Sequence, residues 1–187
     1  MRKSELRVLY KILRKELSLK DVDDLSLQIA NSVLKLPIWE LSFFHVFLTI
    51  ESLKEVLTEP IISILSGKDK HIVVSKSDFK TRTMSHVLLQ DNTILKPNSW
   101  NIPEPENGIS INDTQIEVVF LPLVAFDKTG NRVGYGKGFY DAFLKNCSKD
   151  TVKIGLSFFE AETVIHDVEL HDVPLDYCVT PNKIYTF

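Results

Sequence analysis

Apolar residues in the first part of the chain recur at the spacing of an α-helix. Within residues 2–17, Leu6, Leu9, Leu13 and Leu17 follow one another at helical intervals, with basic residues between them. This pattern predicts an amphipathic helix with one stripe facing the core. Its basic face is typical of a helix surface exposed to solvent.

A second helix is predicted over residues 21–35. Ser18 and Asp21 have the spacing of a capping box at its start, and Pro37 closes it. Its apolar positions fall on one helical face: Val22, Leu25, Ile29 and Val33.

Beyond Pro37 the pattern changes to short apolar runs, which are typical of buried strands. These runs are residues 43–48, 71–75, 116–121 and 152–158. Between the first two lies a further predicted helix, with Ile61, Ile62 and Leu65 on its apolar side and Gly67 as a stop signal. A strand, a helix and a strand at this spacing predict a parallel crossover.

Residues 78–113 are less regular. Residues 84–90 have the pattern of a strand, whereas residues 96–108 contain three prolines and little periodicity, which predicts a loop over one end of the sheet. The chain has no internal repeat and no long linker. We therefore expect residues 1–187 to form a single α/β domain of three layers, with a mainly parallel central sheet flanked by helices.

Composition narrows the class of protein. The chain has 187 residues, of which 44% are hydrophobic and 25% charged, as in soluble globular domains. Its net charge of -3 gives no general attraction to the phosphate backbone, so no nucleic-acid partner is expected. Cys147 and Cys178 are too few for a disulfide scaffold and favour a reducing, cytoplasmic compartment. The apolar run 43–50 is far shorter than the roughly 20 residues of a membrane span, so no membrane role is expected.

The main chemical signal is a cluster of glycines. Of the seven in the chain, four lie between a predicted strand and a predicted helix at residues 139–147: Gly130, Gly134, Gly136 and Gly138. Glycine allows positive φ and lets backbone N–H groups approach a ligand, as in loops that bind phosphate oxygens. Arg132 and Lys137 add positive charge, and Asp141 is a carboxylate of the kind that binds magnesium.

A tight turn between a strand and a helix explains the same glycines, with Lys137 solvated and Asp141 favouring the helix dipole. The sequence lacks the GxxxxGK[ST] pattern of a P-loop. Its GxGxG string also lacks the acidic residue expected of a dinucleotide-binding fold. The loop by itself leaves phosphate binding and a structural turn open.

Residues 121–141, LPLVAFDKTGNRVGYGKGFYD, resemble the signature of the 5-formyltetrahydrofolate cyclo-ligase family, also called 5,10-methenyltetrahydrofolate synthetases. The resemblance extends over nearly the whole chain, through Lys3, Arg7 and residues 55–58, 100–105, 171–173 and 176–181. It implies an α/β fold like that of NagB, ribose-phosphate isomerase and CoA transferases.

The resemblance implies a ligase that uses Mg²⁺ and ATP to convert 5-formyltetrahydrofolate, with or without a polyglutamate tail, into 5,10-methenyltetrahydrofolate. ATP phosphorylates the formyl oxygen on N5, N10 attacks the activated carbon, and phosphate leaves. Positioning and electrostatics then dominate over covalent chemistry. We expect a cytoplasmic monomer.

The resemblance also implies site residues. Lys137 and Arg132 are the expected catalytic residues, and Asp141 and Asp172 the expected magnesium ligands. The residues implied for ATP binding are Lys3, Arg7, Arg132, Val133, Gly134, Tyr135, Gly136, Lys137, Gly138, Phe139 and Tyr140. Those implied for folate binding are Arg7, Leu48, Glu55, Trp100, Tyr135, Gly136, Lys137, Gly138 and Phe139.

Glu55 is implied to contact the pterin, because a carboxylate accepts two parallel N–H bonds from an amino-pyrimidine edge. Residues 52–55 also form a capping-box pattern, but a helix start at Thr58 leaves Pro60 in the tolerated first turn and is preferred. Trp100 either stacks on a substrate ring or anchors its loop.

The sequence departs from the common family pattern at Lys137 and Phe139, where many members have glycine and tyrosine, and in a longer segment before Glu55 that contains Leu48. Two other functions stay open. One is a non-catalytic folate- or nucleotide-binding member of the family, and the other is a sugar-phosphate isomerase or acyl-transfer enzyme on a similar scaffold. Residues assigned to the core or the surface are Met84, His45, His71, His86 and His166, whereas His171 is of interest because it adjoins Asp172.

Overall fold

The computed structural model describes residues 1–98 and 101–187. Its α-helices are Lys3–Glu16 (α1), Leu19–Val33 (α2), Glu59–Gly67 (α3) and Phe139–Asn146 (α4). Its strands are Phe43–His45 (β1), His71–Asp78 (β2), Thr83–Leu88 (β3), Leu95–Pro97 (β4), Pro103–Pro105 (β5), Ser110–Ile111 (β6), Val118–Pro122 (β7), Ala125–Phe126 (β8), Arg132–Val133 (β9), Val152–Leu156 (β10), Tyr177–Val179 (β11) and Ile184–Thr186 (β12). Short 3-10 helices cover Glu51–Leu53 and Asp113–Gln115.

The central sheet has the strand order β12-β11-β10-β7-β1-β2-β3-β6. The five strands from β11 to β2 in this order run parallel. At the edges, β12 pairs antiparallel with β11, β3 pairs antiparallel with β2, and β6 pairs antiparallel with β3. Phe44 of β1 lies opposite Ile72 on one side and Val118 on the other. The predicted parallel crossover is confirmed, because α3 connects the adjacent parallel strands β1 and β2.

Apolar side chains cover both faces of this sheet. On one face, α2 and α3 pack against β1, β7 and β10. On the other, α4 contributes Phe143 and Leu144 to a cluster with Val119 and Leu121 of β7. Helix α1 lies over the small hairpin β8–β9, where Leu6 and Tyr10 contact Val133 and its neighbours. The predicted three-layer α/β domain is therefore confirmed.

The predicted helices are confirmed to within two residues at each end. Helix α2 begins after Ser18, whose Oγ accepts a hydrogen bond from the Asp21 N–H at 3.1 Å while the Asp21 carboxylate accepts from the Ser18 N–H at 2.8 Å. Helix α3 begins after Thr58 with Pro60 in its first turn. The predicted strands all lie in the central sheet, although β1 already ends at His45.

The loop predicted for residues 96–108 is wrong in part, because β4 and β5 pair there as an antiparallel hairpin. Its prolines occupy alternate positions, with Pro97 opposite Pro103 and Pro105 opposite Leu95. Between these two pairs, Lys96 lies opposite Glu104. Backbone hydrogen bonds flank them, one from the Asn98 N–H to the Ile102 carbonyl and one from the Glu106 N–H to the Ile94 carbonyl. Proline has no N–H, but non-hydrogen-bonded positions of an antiparallel ladder require none.

Within the described ranges, no helix has the length and apolar character needed to cross a bilayer.

Candidate active site

A cavity of about 430 Å³ lies at the carboxyl ends of the parallel strands. Phe47 and Leu48, which follow β1, line it together with Ser75 and Ser77 of β2 and Pro122 of β7. The chain continues from β1 to β2 on one side, whereas β7 and β10 lie on the other side of β1. Such a reversal of strand order leaves a crevice in which open α/β sheets bind their ligands.

Site residues predicted from distant parts of the sequence meet at this cavity. Its lining includes Lys3, Arg7, Leu48, Glu55, Arg132, Gly134, Tyr135, Gly136, Lys137, Gly138, Phe139, Tyr140, Asp141 and Asp172. Val133 is not among the lining residues, because its side chain is buried beneath α1. Trp100 lies outside the described residues.

The loop between β9 and α4 depends on glycine. Gly136 and Gly138 have φ angles of 87° and 75°, which only glycine adopts readily. A Cβ on Gly136 would lie 3.2 Å from Cζ of Arg7, so the guanidinium rests directly on the loop backbone. Nε of Arg7 also donates to the carbonyl of Gly134 at 2.8 Å. Helix α1 therefore holds the loop in place.

Gly130 has a different task from the other three glycines. It closes the turn between β8 and β9 with a φ of 83°. The buried carboxylate of Asp127 holds this turn by accepting hydrogen bonds from the N–H groups of Thr129 and Asn131, both at 3.0 Å. Gly130 is therefore a turn residue and lies outside the loop that lines the cavity.

Arg132 is buried behind the loop, with 8% of its surface exposed. Its Nη2 donates to Oδ1 of Asp141 at 2.7 Å, and its Nη1 donates to the carbonyl of Val173. Burial lowers the pKa of Arg132, and the nearby Asp141 and Asp172 carboxylates oppose this shift. The guanidinium thus links the start of α4 to the segment that carries Asp172.

Lys3 forms an ion pair with Oδ2 of Asp172, which also accepts a hydrogen bond from the Glu169 N–H at 2.7 Å. Burial raises the pKa of Asp172, but these two donors outweigh it and the net shift is downward. Asp172 therefore stays ionised at the cavity. In the described part of the chain, Oδ2 of Asp141 and Oδ1 of Asp172 accept no hydrogen bond, so each carboxylate keeps one oxygen available.

Glu55 is almost fully buried, with 3% of its surface exposed. Its Oε2 accepts a hydrogen bond from the Ile50 N–H at 2.7 Å, and its Oε1 accepts one from the Tyr135 hydroxyl at 2.6 Å. Burial raises the pKa of Glu55, and the two donors and Arg14 partly offset this. The start of α3 at Thr58 leaves Glu55 outside the helix, as predicted.

Arg14 corrects the expectation of a solvated basic face. It is 6% exposed, its Nη1 donates to the Tyr135 hydroxyl at 2.8 Å, and its Nη2 donates to the carbonyl of Leu123. The buried face of α1 runs through Leu6, Tyr10 and Arg14. The neighbouring Lys11 and Lys15 are exposed, as expected.

Sequence reasoning missed an apolar part of the cavity wall. Phe79, after β2, contacts Phe139 edge to face, with the ring centroids 5.2 Å apart. Ser77 donates its N–H to the buried Glu104 carboxylate at 2.9 Å, which ties the hairpin β4–β5 to β2. The wall also includes Phe47, Met84, Ile102 and Pro103. These residues carry no common motif, because they meet only once the hairpin lies over β2.

The four histidines assigned to the core or the surface are buried at His45 and His86 and exposed at His71 and His166. His45 and His86 are buried against Phe143 beneath the cavity, with the His45 and His86 ring centroids 5.3 Å apart. Nδ1 of His86 lies 2.9 Å from Oδ1 of Asp113, whereas neither ring nitrogen of His45 has a partner in the described residues. His171 is exposed and pairs with Glu169 rather than with a cavity residue.

The chain matches known proteins along its length. The sequence profile of the 5-formyltetrahydrofolate cyclo-ligase family matches residues 1–181. The chain is 33% identical over 142 residues to the Mus musculus 5-formyltetrahydrofolate cyclo-ligase, covering 70% of this chain and 69% of the mouse protein.

Two solved structures have the same fold. The NMR structure of the Aquifex aeolicus 5,10-methenyltetrahydrofolate synthetase superposes with a TM-score of 0.83 at 28% identity, covering 100% of this chain and 93% of the other. The Mycoplasma pneumoniae 5,10-methenyltetrahydrofolate synthetase superposes with a TM-score of 0.76 at 22% identity, covering 97% and 99%. Since the profile match spans nearly the whole chain and the fold agrees, this protein belongs to the 5-formyltetrahydrofolate cyclo-ligase family of enzymes.

Proposed function

We propose that this protein catalyses the ATP-dependent cyclisation of 5-formyltetrahydrofolate to 5,10-methenyltetrahydrofolate. The formyl oxygen attacks the γ-phosphorus of ATP and ADP leaves. N10 then attacks the activated formyl carbon and loses its proton, and the C–O bond breaks to release phosphate. The names of the mouse, Aquifex and Mycoplasma relatives specify this class of substrate and product, which supports the proposal.

The observation that carries the proposal is that one cavity brings together two chemically different sets of groups. The first is a glycine loop with the cations Lys3, Arg7 and Lys137, which suits a polyphosphate. The second is the buried carboxylate of Glu55 beside an apolar aromatic wall, which suits a flat heterocycle that carries N–H donors. A reaction that transfers a phosphoryl group from ATP to a folate needs both.

Lys137 is the cation best suited to follow the transferring phosphoryl group. Its side chain is exposed at the loop and forms no ion pair with the described residues. Arg132, by contrast, is buried and already bonded to Asp141 and Val173. We assign Lys137 the contact with the phosphoryl group, and Arg132 the task of positioning Asp141 and adding positive potential behind the loop.

Folate recognition falls to the other set of groups. Glu55 would accept two N–H bonds from the amino-pyrimidine edge, because each of its oxygens keeps one acceptor position beyond its present bond. Leu48 and Phe139 border the same space and would contact the flat rings. A polyglutamate tail on the folate and a monomeric, cytoplasmic enzyme remain part of the proposal.

The carboxylates at the phosphate end fit a magnesium ion. Asp141 and Asp172 each offer one oxygen that accepts no hydrogen bond from the described residues, and Mg²⁺ is usually held by one or two carboxylates together with waters and phosphate oxygens. Among the described residues no three His, Cys, Asp or Glu side chains gather into a metal site, so phosphate oxygens would have to complete the shell. Bound there, Mg²⁺ would neutralise charge on the phosphates.

An isotope experiment tests the proposed route. The purified protein is mixed with 5-formyltetrahydrofolate carrying ¹⁸O in the formyl group, with ATP, and with or without Mg²⁺. We expect one labelled oxygen in each phosphate released, one ADP per methenyl product, and a large loss of rate without Mg²⁺. Unlabelled phosphate would contradict phosphorylation of the formyl oxygen.

A further inference from the structure

Arg14 is a buried arginine to which the proposed reaction assigns no task. Only 6% of its surface is exposed, although it lies on a helix whose other basic residues include the exposed Lys11 and Lys15. It donates one hydrogen bond to the Tyr135 hydroxyl and one to the carbonyl of Leu123, while its Nε has no partner in the described residues. Burying an arginine costs free energy unless hydrogen bonds and nearby negative charge compensate for the water that its guanidinium loses.

The hydrogen-bond chemistry of Arg14 fixes the direction of a proton. A guanidinium has only donors and keeps its charge at any ordinary pH, so the oxygen of Tyr135 must act as its acceptor. The single hydroxyl proton of Tyr135 is then left for Oε1 of Glu55, 2.6 Å away. The Ile50 N–H donates to Oε2 at 2.7 Å. Glu55 is therefore surrounded by donors that all require it to be an acceptor.

We propose that Arg14 is a positioning residue for substrate recognition: by donating to Tyr135 it directs the Tyr135 proton onto Glu55 and so holds Glu55 as an ionised acceptor facing the cavity. The inference rests on the proposed function for one step, that the ligand of Glu55 is a ring with adjacent N–H donors. The hydrogen bonds from Arg14 to Tyr135 and from Tyr135 to Glu55 do not depend on that step.

The hydrogen-bond donors and the positive charge around Glu55 all favour its ionised form. Burial raises its pKa, and the Tyr135 hydroxyl, the Ile50 N–H and the charge of Arg14 lower it. Among the described residues, the Tyr140 phenol also interacts with Glu55, because burial and the Glu55 carboxylate both raise the Tyr140 pKa. Removing Arg14 leaves burial less opposed, so Glu55 takes up a proton at higher pH and loses acceptor capacity.

The first test needs no substrate. Carbon-13 NMR of the Glu55 carboxyl, followed across pH in the free protein, reports its ionisation directly. We expect the Glu55 pKa to rise in Arg14→Met and in Tyr135→Phe, and to stay unchanged in Lys11→Met, which alters an exposed residue one turn away. An unchanged Glu55 pKa in both Arg14→Met and Tyr135→Phe would overturn the proposal.

The second test measures the consequence for the substrate. We expect the KM for 5-formyltetrahydrofolate to rise more steeply in Arg14→Met than in the wild type as pH falls from 8 to 6, because Glu55 takes up a proton at higher pH in the variant, while the KM for ATP stays constant. Arg14→Lys, which keeps a charged donor, should recover part of the loss. Equal increases in both KM values without a change in pH profile would mean that Arg14 only stabilises the fold.

The experiments distinguish a loss of stability from a loss of the Arg14 role, and a failure of that role from a failure of the proposed function. Because Arg14 is buried, Arg14→Met also lowers stability, so Tyr135→Phe repeats the NMR test with the ring and Arg14 in place. If the Glu55 pKa moves as expected but the wild-type protein converts no folate, the proposed function fails and the chain from Arg14 to Glu55 stands. If the wild-type enzyme is active and the Glu55 pKa stays fixed in Tyr135→Phe and Arg14→Met, the role of Arg14 fails alone.

Discussion

The hydroxyl of Tyr135 donates to Oε1 of Glu55 across 2.6 Å, although 80 positions separate the two residues in the sequence. Tyr135 belongs to the glycine loop proposed to bind ATP, and Glu55 belongs to the segment before α3 proposed to bind the folate. A single hydrogen bond therefore joins the two walls of the cavity.

Replacing Glu55 by Gln should weaken folate binding selectively. Gln keeps the shape but presents an N–H₂ group where the substrate also offers donors, so one charged hydrogen bond is lost and one repulsion appears. We expect the KM for the folate to rise roughly 10- to 100-fold, in line with about 1.5–3 kcal/mol for a charged hydrogen bond, with little change for ATP. Steady-state kinetics with Glu51→Gln as an exposed control measures this, and an equal effect of both changes would contradict it.

Replacing Gly136 by Ala should disturb the loop where Arg7 rests on it. The φ of 87° is unfavourable for alanine, and the new methyl would lie 3.2 Å from Cζ of Arg7. We expect a loss of roughly 1–2 kcal/mol in the free energy of unfolding and a higher KM for ATP. Gly134→Ala meets no atom within 4 Å and should lose clearly less stability in the same urea titration. The prediction fails if both variants unfold alike.

Replacing Lys137 by Ala should impair ATP use and leave the fold intact. The side chain is exposed and forms no ion pair with the described residues, so its removal leaves no buried group unsatisfied. We expect kcat/KM for ATP to fall about 100-fold or more, as for loss of a charge that stabilises a transition state, with a melting temperature within about 2 °C of wild type. Lys145→Ala, an exposed lysine of α4, should keep wild-type kinetics. Wild-type kinetics in Lys137→Ala would instead favour the tight-turn interpretation of the loop.

His45 should make the fold sensitive to mild acid. Burial holds its pKa well below 6.5, and the neighbouring His86 lowers it further, so the folded protein keeps the ring neutral. The unfolded chain takes up a proton below about pH 6.5, and the free energy of unfolding therefore falls as pH decreases from 7 to 5, by roughly 2 kcal/mol for a fully suppressed group. Urea titrations at both pH values should give a smaller difference for His45→Leu. Part of the slope should persist, because burial also lowers the pKa of His86 despite its contact with Asp113.

Local signals explain which parts of the fold the sequence predicts well. Ser18 with Asp21 fixes the start of α2, and Pro60 fixes the start of α3, because capping and proline geometry act over a few residues. Buried parallel strands such as β7 and β10 appear as apolar runs, since both of their faces are covered. The hairpin β4–β5 was not predicted, because several prolines close together usually indicate a loop. Their alternate spacing is compatible with a strand only once the partner strand is known.

Tertiary contacts explain the rest. The leucine stripe of the first helix predicts which side is apolar, but the most buried positions, Leu6, Tyr10 and Arg14, lie on a face slightly rotated from it. Only the position of Tyr135 and of the Leu123 carbonyl gives Arg14 partners that permit burial. The glycine loop was identified by its motif, whereas the wall containing Phe79 has no motif and depends on how the hairpin folds over β2.

The most direct test of the proposed function is a single assay with wild-type protein and its Glu55→Gln and Lys137→Ala variants. Each is mixed with 5-formyltetrahydrofolate, ATP and Mg²⁺, and the absorbance of the methenyl product is recorded together with ADP. We expect one ADP per methenyl group for the wild type. For Glu55→Gln we expect a slow reaction at low folate that high folate restores, and for Lys137→Ala a lower kcat/KM for ATP. Tight binding of both ligands by the wild-type protein without any methenyl product would contradict the proposed function and would favour a non-catalytic binding protein.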